Sequence, residues 1–300
     1  MIVTRSFMNQ VWTDLNSPTK EELDSLMLTE NLDPLILKDL LAPTPKQYAK
    51  EFDQGIYAVL HIPFFKHSHS VSVEQEIDFI ITERGLITAR YDSIDAVHYF
   101  GKQVEVNEVL QKQNGSHLFF GLMKEIYRFL FDEIDYTKDW LKEIDKNIFE
   151  GYEKEMVFSI SAASRNILSL QRTIGPHELV IKKLITIGKN RFGESFEREA
   201  LIMLDEWQRL IFELKNISDM LYDLRETNNS ILSTKQNEIM KIFTILAFVT
   251  FPLSLIAAIF GMNTSFIPIV GLSYDFWLVI GLMILISLAM FSYFKYKKWM

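Results

Sequence analysis

The chain has 300 residues, 48% of them hydrophobic, enough for one or two domains with a sizeable core. Its formal charge of −8 is unevenly spread: after residue 238 only Lys241, Asp275, Lys295, Lys297 and Lys298 are charged, a net +3, so the first 238 residues carry −11. An acidic front argues against a nucleic-acid partner, and the absence of cysteine excludes disulfides and thiolate metal sites.

The opening MIVTRSFMNQVW has no charged leader before an apolar run, so no cleaved signal peptide is expected and the N-terminus should stay on the side where it is made. Residues 1–115 read as a cytosolic α/β domain. Ser17-Pro18 followed by Glu21 and Glu22 predicts a helix start, with a hydroxyl cap, proline at the first position and acids in the first turn. DPLILKDLL predicts a short amphipathic helix. IYAVLHIPFF is rich in strand-forming residues, and EIDFIITERGLITARYD reads as two strands about the turn Glu83-Arg84-Gly85. His67 and His69 would share a strand face, but no third zinc ligand accompanies them, and a polar loop between strands is the simpler reading.

Residues 116–238 read as a long-helix stalk. HLFFGLMKEIYRFLFDEIDYTKDWLKEIDKNIFE repeats apolar residues at three- and four-residue spacing. Breaks are expected at Gly151, at Gly175-Pro176 and from Gly188 to Gly193. Asp132, Glu133 and Asp135 read as a solvated helix face. No Pro or Gly then occurs until Pro252, so one helix from Glu194 to Phe260 is expected, roughly 100 Å long at the helical rise. A helix of that length needs a partner, either another helix or another subunit.

Residues 239–300 read as a two-helix transmembrane domain. Ile242–Phe260 and Phe276–Phe294 are each 19 residues without charge, about 28 Å of helix, close to a hydrocarbon core. The alternative is a pair of buried core helices. A short link puts both chain ends on one side, and the tail KYKKW assigns that side to the cytoplasm. Tyr293, Tyr296 and Trp299 suit an interfacial aromatic belt. A stripe of Asn237, Met240, Thr244, Ala247, Phe251, Ser254, Ala258 and Gly261 follows a three–four spacing and is smaller and more polar than the faces bearing Leu246, Leu253, Leu255 and Ile256. It either packs against the second span or lines a pore, and a pore requires an oligomer. Pro252 removes a backbone bond to Phe248, implying a kink that is either a gating hinge or a packing bend.

The string KQNEIMKIFTILAFVTFPLSLIAAIFGMN, a short loop with Pro268, a second span and the lysine tail together resemble the CorA family of divalent-cation channels. SPTKEELDSL, LDPLILKDLL and FIITERGLITARYD are similar to that family's cytosolic α/β domain. The resemblance implies an α+β cytosolic domain, long helices and two C-terminal transmembrane helices, assembled as a funnel-shaped homopentamer in the cell membrane. Its cargo would be Mg²⁺, with Co²⁺ or Ni²⁺, moving passively. By the same resemblance, Gly261, Met262 and Asn263 form the selectivity filter: Gly261 and Asn263 contact the ion through its bound water, and Met262 braces the turn. Ser254, Phe251, Met240 and Asn237 line the pore below. Mg²⁺ surrenders its waters reluctantly, and neutral amide oxygens can accept hydrogen bonds from that water shell. Asn263 is alternatively a helix C-cap.

The chain departs from the family pattern in three places. Phe260 stands where Tyr usually precedes the motif; Ser265 and Ile269 stand where some members carry acids, leaving Asp275 as the nearest. Asp39 matches a regulatory cation-sensing position, but its partner place holds Ile202, with Asp205 nearby. The resemblance thus leaves a Zn²⁺ transporter of the same family, or a non-conducting membrane-anchored sensor, as alternatives. No nucleophile–base set, P-loop or GxGxxG occurs. No enzyme and no cofactor are expected.

Overall fold

The computed structural model describes residues 2–7, 10–30, 32–64, 73–92, 94–106, 115–263, 269, 271, 273–297 and 299. The strands are β1 (Ile2–Phe7), β2 (Gln10–Asn16), β3 (Tyr48–Phe52), β4 (Gly55–Phe64), β5 (Val73–Thr82) and β6 (Gly85–Arg90). The helices are α1 (Lys20–Glu30), α2 (Pro34–Asp39), α3 (Asp95–Val106), α4 (Gly115–Phe149), α5 (Glu153–Ile174), α6 (His177–Phe192), α7 (Glu194–Phe260) and α8 (Asp275–Tyr296). His67 and His69 lie outside the described residues. The chain divides into two compact units, Met1–Arg225 and Glu226–Met300.

In the first unit six strands form one sheet in the order β1-β2-β6-β5-β4-β3. Only β2 and β6 run parallel; the other neighbours are antiparallel. β4 is buried along nearly its whole length, as its continuous apolar run demands of a strand covered on both faces. One face carries Leu15, Tyr57, Val59, Ile80 and Ile87 against Leu23, Leu26, Ile36 and Leu40 of the α1–α2 region. On the other face Phe79 meets Phe119 of α4 edge-on at 5.1 Å, and Trp12 meets Phe100 of α3 at 5.5 Å. Gly85 starts β6 because the neighbouring strand passes too close for a side chain: a Cβ there would lie 1.9 Å from the Val11 carbonyl oxygen.

Two local expectations are corrected. The cap of α1 is Thr19, not Ser17. The Thr19 hydroxyl accepts the Glu22 N–H at 3.3 Å and the Glu22 carboxylate accepts the Thr19 N–H at 3.0 Å, a reciprocal capping box. Ser17 is held instead at φ 50°, its N–H bonded to the Arg90 carbonyl, so it shapes the exit from β2. Gly188 does not break a helix; α6 runs through it to Phe192, and only Gly193, at φ 85°, ends it. Gly188 is small because Phe196 packs there: a Cβ would lie 2.1 Å from its ring.

Candidate functional site

α7 covers Glu194–Phe260, as the absence of breakers predicts, and Pro252 lies inside it. Its apolar part belongs to the second unit, together with α8. The most apolar windows of α7 and α8 are 11% and 0% buried, so neither is the core helix of a soluble fold. Both are long and apolar enough to cross a membrane. The hydroxyls of Thr244 and Thr250 return to the carbonyls of Met240 and Leu246 at 2.8 and 2.6 Å, which satisfies them without water.

The two apolar helices meet through Ile245 and Val249 of α7 and Phe294 of α8, with Leu253 and Met290 beside them. None of these belongs to the small and polar stripe. At about 100° per residue, Ile245, Val249 and Leu253 centre on the side of α7 roughly 180° from the centre of the stripe. Along that stripe Met240 and Phe251 are 58% and 73% exposed, and Asn237, Ser254, Ala258 and Gly261 are exposed as well, while Thr244 and Ala247 are half-buried. Packing against the second helix therefore uses the face opposite the stripe.

The helix ends in the Gly261-Met262-Asn263 turn. The Gly261 N–H reaches the Ala257 carbonyl at 2.9 Å, and the Met262 N–H reaches that of Ile259 at 3.3 Å, a tightening last turn. A Cβ on Gly261 would lie 3.0 Å from the Ala257 oxygen, close enough that the carbonyl would have to give. Asn263 follows this turn, exposed and without a left-handed backbone. Ser265 and Pro268 lie outside the described residues. Ile269 adopts φ 77°. Asp275 takes the N–H groups of Gly271 and Phe276 at 3.1 and 2.6 Å, so this carboxylate organises the start of α8.

In the first unit Asp39 already has partners: the Tyr48 hydroxyl donates at 2.8 Å and the Lys50 ammonium at 3.0 Å. Partial burial pushes the Asp39 carboxyl up, but these two donors together outweigh it and hold it below the ordinary value. Asp205 is exposed, and so is Ile202 at the matching place. Asp132 and Asp135 are exposed and pair with Arg128 and Lys138 on their own helix. Among the described residues no group of three or more His, Asp or Glu side chains is arranged to hold a metal ion.

What the sequence did not signal is a buried polar row on β5. Glu76 and Asp78 are 6% and 0% exposed. Tyr57 donates to Asp78 at 2.7 Å. Burial, then the neighbouring Glu76 charge, push the Asp78 carboxyl up to about 8. Glu76 accepts the Thr44 N–H, and both Glu76 and Glu74 bond the His61 ring, which raises the His61 pKa. The buried His177 ring bonds the His61 carbonyl at 2.8 Å and the Tyr127 hydroxyl at 3.0 Å; burial pushes its pKa down to about 4. An alternation of acidic and apolar residues ordinarily marks a wet strand face, and here it does not.

The family model described as CorA-like Mg²⁺ transporter protein matches residues 9–297. The cobalt/magnesium transport protein CorA of Thermotoga maritima is 25% identical over 273 residues, covering 89% of this chain and 76% of that one. The magnesium transport protein CorA of Blochmanniella floridana is 26% identical over 313 residues, covering 99% and 94%. The complete structure of the CorA magnesium transporter from Methanocaldococcus jannaschii superposes with a TM-score of 0.83 at 20% identity, over 97% of this chain and 92% of that one, and so shares its fold.

Proposed function

This chain belongs to the CorA-like Mg²⁺ transporter family, and on that premise we propose that it is a funnel-shaped homopentameric channel passing hydrated Mg²⁺, together with Co²⁺ or Ni²⁺, down its gradient across the cell membrane. It is a transporter and not an enzyme. The observation that carries the reading is the opposition of faces on α7. The second span takes the Ile245–Val249 side, so the stripe of Asn237, Met240, Thr244, Ala247, Phe251, Ser254 and Ala258 is left for other copies and for the ion path they enclose. Small and polar side chains in a span suit water or protein rather than lipid.

In a ring of five, Gly261, Met262 and Asn263 stand at the mouth as the filter. The Asn263 amide oxygen accepts hydrogen bonds from the ion's water shell, and Gly261 lets the backbone approach closely. A neutral ring holds a dication weakly enough to release it, which conduction requires. The lysine tail, with no Lys or Arg in the link between the spans, supports a topology with both chain ends in the cytoplasm. The ion is cargo, and no resident cofactor is assigned.

The test is flux into liposomes carrying the full chain, with Mg²⁺, Co²⁺, Ni²⁺ and Zn²⁺ offered separately. Mg²⁺ entry that stops on Asn263→Ala while the oligomer keeps its size supports the reading. Entry of Zn²⁺ alone points to the zinc branch, and no entry of any ion to a membrane-anchored sensor.

A further inference from the structure

We propose that the outward groove of the membrane unit binds an anionic phospholipid, one acyl chain filling the groove and its phosphate drawn by Lys295 and Lys297. The groove has a volume of about 490 Å³ and is lined by Ile242, Ile245, Leu246, Val249, Phe291 and Trp299. Its walls are hydrocarbon and indole.

Two observations decide the occupant. The first is direction. At about 100° per residue, the four α7 residues of the lining centre roughly 170° from the stripe. Copies ringed about the stripe, as proposed above, leave this groove facing away from the ring axis and toward the bilayer. The second is charge. Residues 276–300 contain no Asp or Glu, in a chain whose formal total is −8. Lys295 and Lys297 are exposed there, and Trp299 is turned back onto the helix end beside them. Its ring stacks on the Phe294 ring at 5.9 Å, and its backbone N–H donates to the Phe294 carbonyl at 3.0 Å. An apolar slot bordered by an interfacial tryptophan, with Lys295 and Lys297 at the same end of α8, matches a lipid that is hydrocarbon below and phosphate above. A zwitterionic lipid fills the slot equally well but leaves the lysines without a net countercharge.

The full chain carrying Trp277→Phe, with a Trp299→Phe companion to subtract the remaining tryptophans, is reconstituted in phosphatidylcholine vesicles. These contain brominated-chain phosphatidylglycerol or brominated-chain phosphatidylcholine at equal mole fraction. We expect Trp299 quenching to report a preference for the glycerol lipid of roughly threefold or more. Lys295→Gln with Lys297→Gln should bring it to the choline level, and Leu246→Phe, which fills the slot, should weaken quenching by both lipids. Equal quenching by the two lipids overturns the proposal, as does a preference that survives loss of both lysines. Absence of quenching from either lipid in a correctly sized oligomer also overturns it, and assigns the groove to a second copy. Ion flux is not read, so a channel that fails to conduct does not alter the result. A single-copy particle that keeps the preference removes the ring while leaving the lipid site in place.

Discussion

Val249 of α7 and Phe294 of α8 are buried together, 8% and 6% exposed, on the side of α7 turned away from Ser254. In a bilayer the surrounding tails are as apolar as these side chains, so the contact is held by packing rather than by exclusion from water. Truncating Phe294 to Ala removes its ring from both Phe248 and Trp299, centroids 6.4 and 5.9 Å away. We expect a loss of about 1–3 kcal/mol and a lower unfolding temperature in detergent. Phe251→Ala, on the exposed stripe, should leave a protomer's own packing unchanged and alter Mg²⁺ flux instead. A drop in unfolding temperature for Phe251→Ala equal to that for Phe294→Ala would show that the two faces are not distinct.

Asn263 reads a water shell through a neutral oxygen in the proposed filter. Asn263→Ala should lower Mg²⁺ flux by at least about tenfold, since a positioned polar group is lost from every copy at once. Asn263→Asp should also lower it, for the opposite reason: a ring of carboxylates holds the dication too long. Undiminished flux in Asn263→Ala would end the filter assignment.

The buried row on β5 gives the first unit a pH dependence with a definite sign. Asp78 and His61 both have folded pKa values above their ordinary ones. Their contributions are therefore complete below the unfolded pKa and are lost as pH rises through the folded one, toward about 8 for Asp78. His177 has the reverse sign: it contributes above the unfolded pKa near 6.5 and is lost as pH falls toward about 4. Thermal unfolding of the full chain should show greatest stability at mildly acidic pH and a decline on either side. Asp78→Asn, which stays neutral, should flatten the alkaline decline. A stability that rises from pH 6 to 9 would contradict the assignment.

The Lys50 ammonium lies 3.0 Å from the Asp39 carboxylate and would compete with a cation bound at that residue. Mg²⁺ at Asp39 must displace an ammonium and a phenol donor that are already in place. We expect millimolar Mg²⁺ to leave the protease sensitivity of the wild-type chain unchanged through this residue. Asp39→Asn should lower stability by about 1 kcal/mol, the usual net value of such bonds. Lys50→Ala, which frees the carboxylate, should create Mg²⁺ protection. Protection by Mg²⁺ in the wild type that disappears in Asp39→Asn would restore Asp39 as a sensor.

Much of this architecture is legible in one dimension. The two apolar runs, the uninterrupted stretch from Glu194 to Phe260, the strand pair about Glu83-Arg84 and the GMN turn each depend on local composition or spacing, and local rules reach them. Local competition misplaces smaller features. Ser17 and Thr19 are both hydroxyl residues near a helix start, and only the Arg90 carbonyl, 73 residues later in the chain, draws Ser17 out of the cap. Gly188 reads as a breaker until Phe196 is seen to need the space.

Apolar length and charge locate the membrane segments from one dimension alone, because a hydrocarbon core tests each stretch separately. Three-dimensional packing alone reveals which side of α7 meets α8, that Glu76 and Asp78 are covered rather than wet, and that Asp39 is held by Tyr48 and Lys50. Those outcomes turn on which surfaces meet across tens of residues, and no periodicity within one segment encodes its partner.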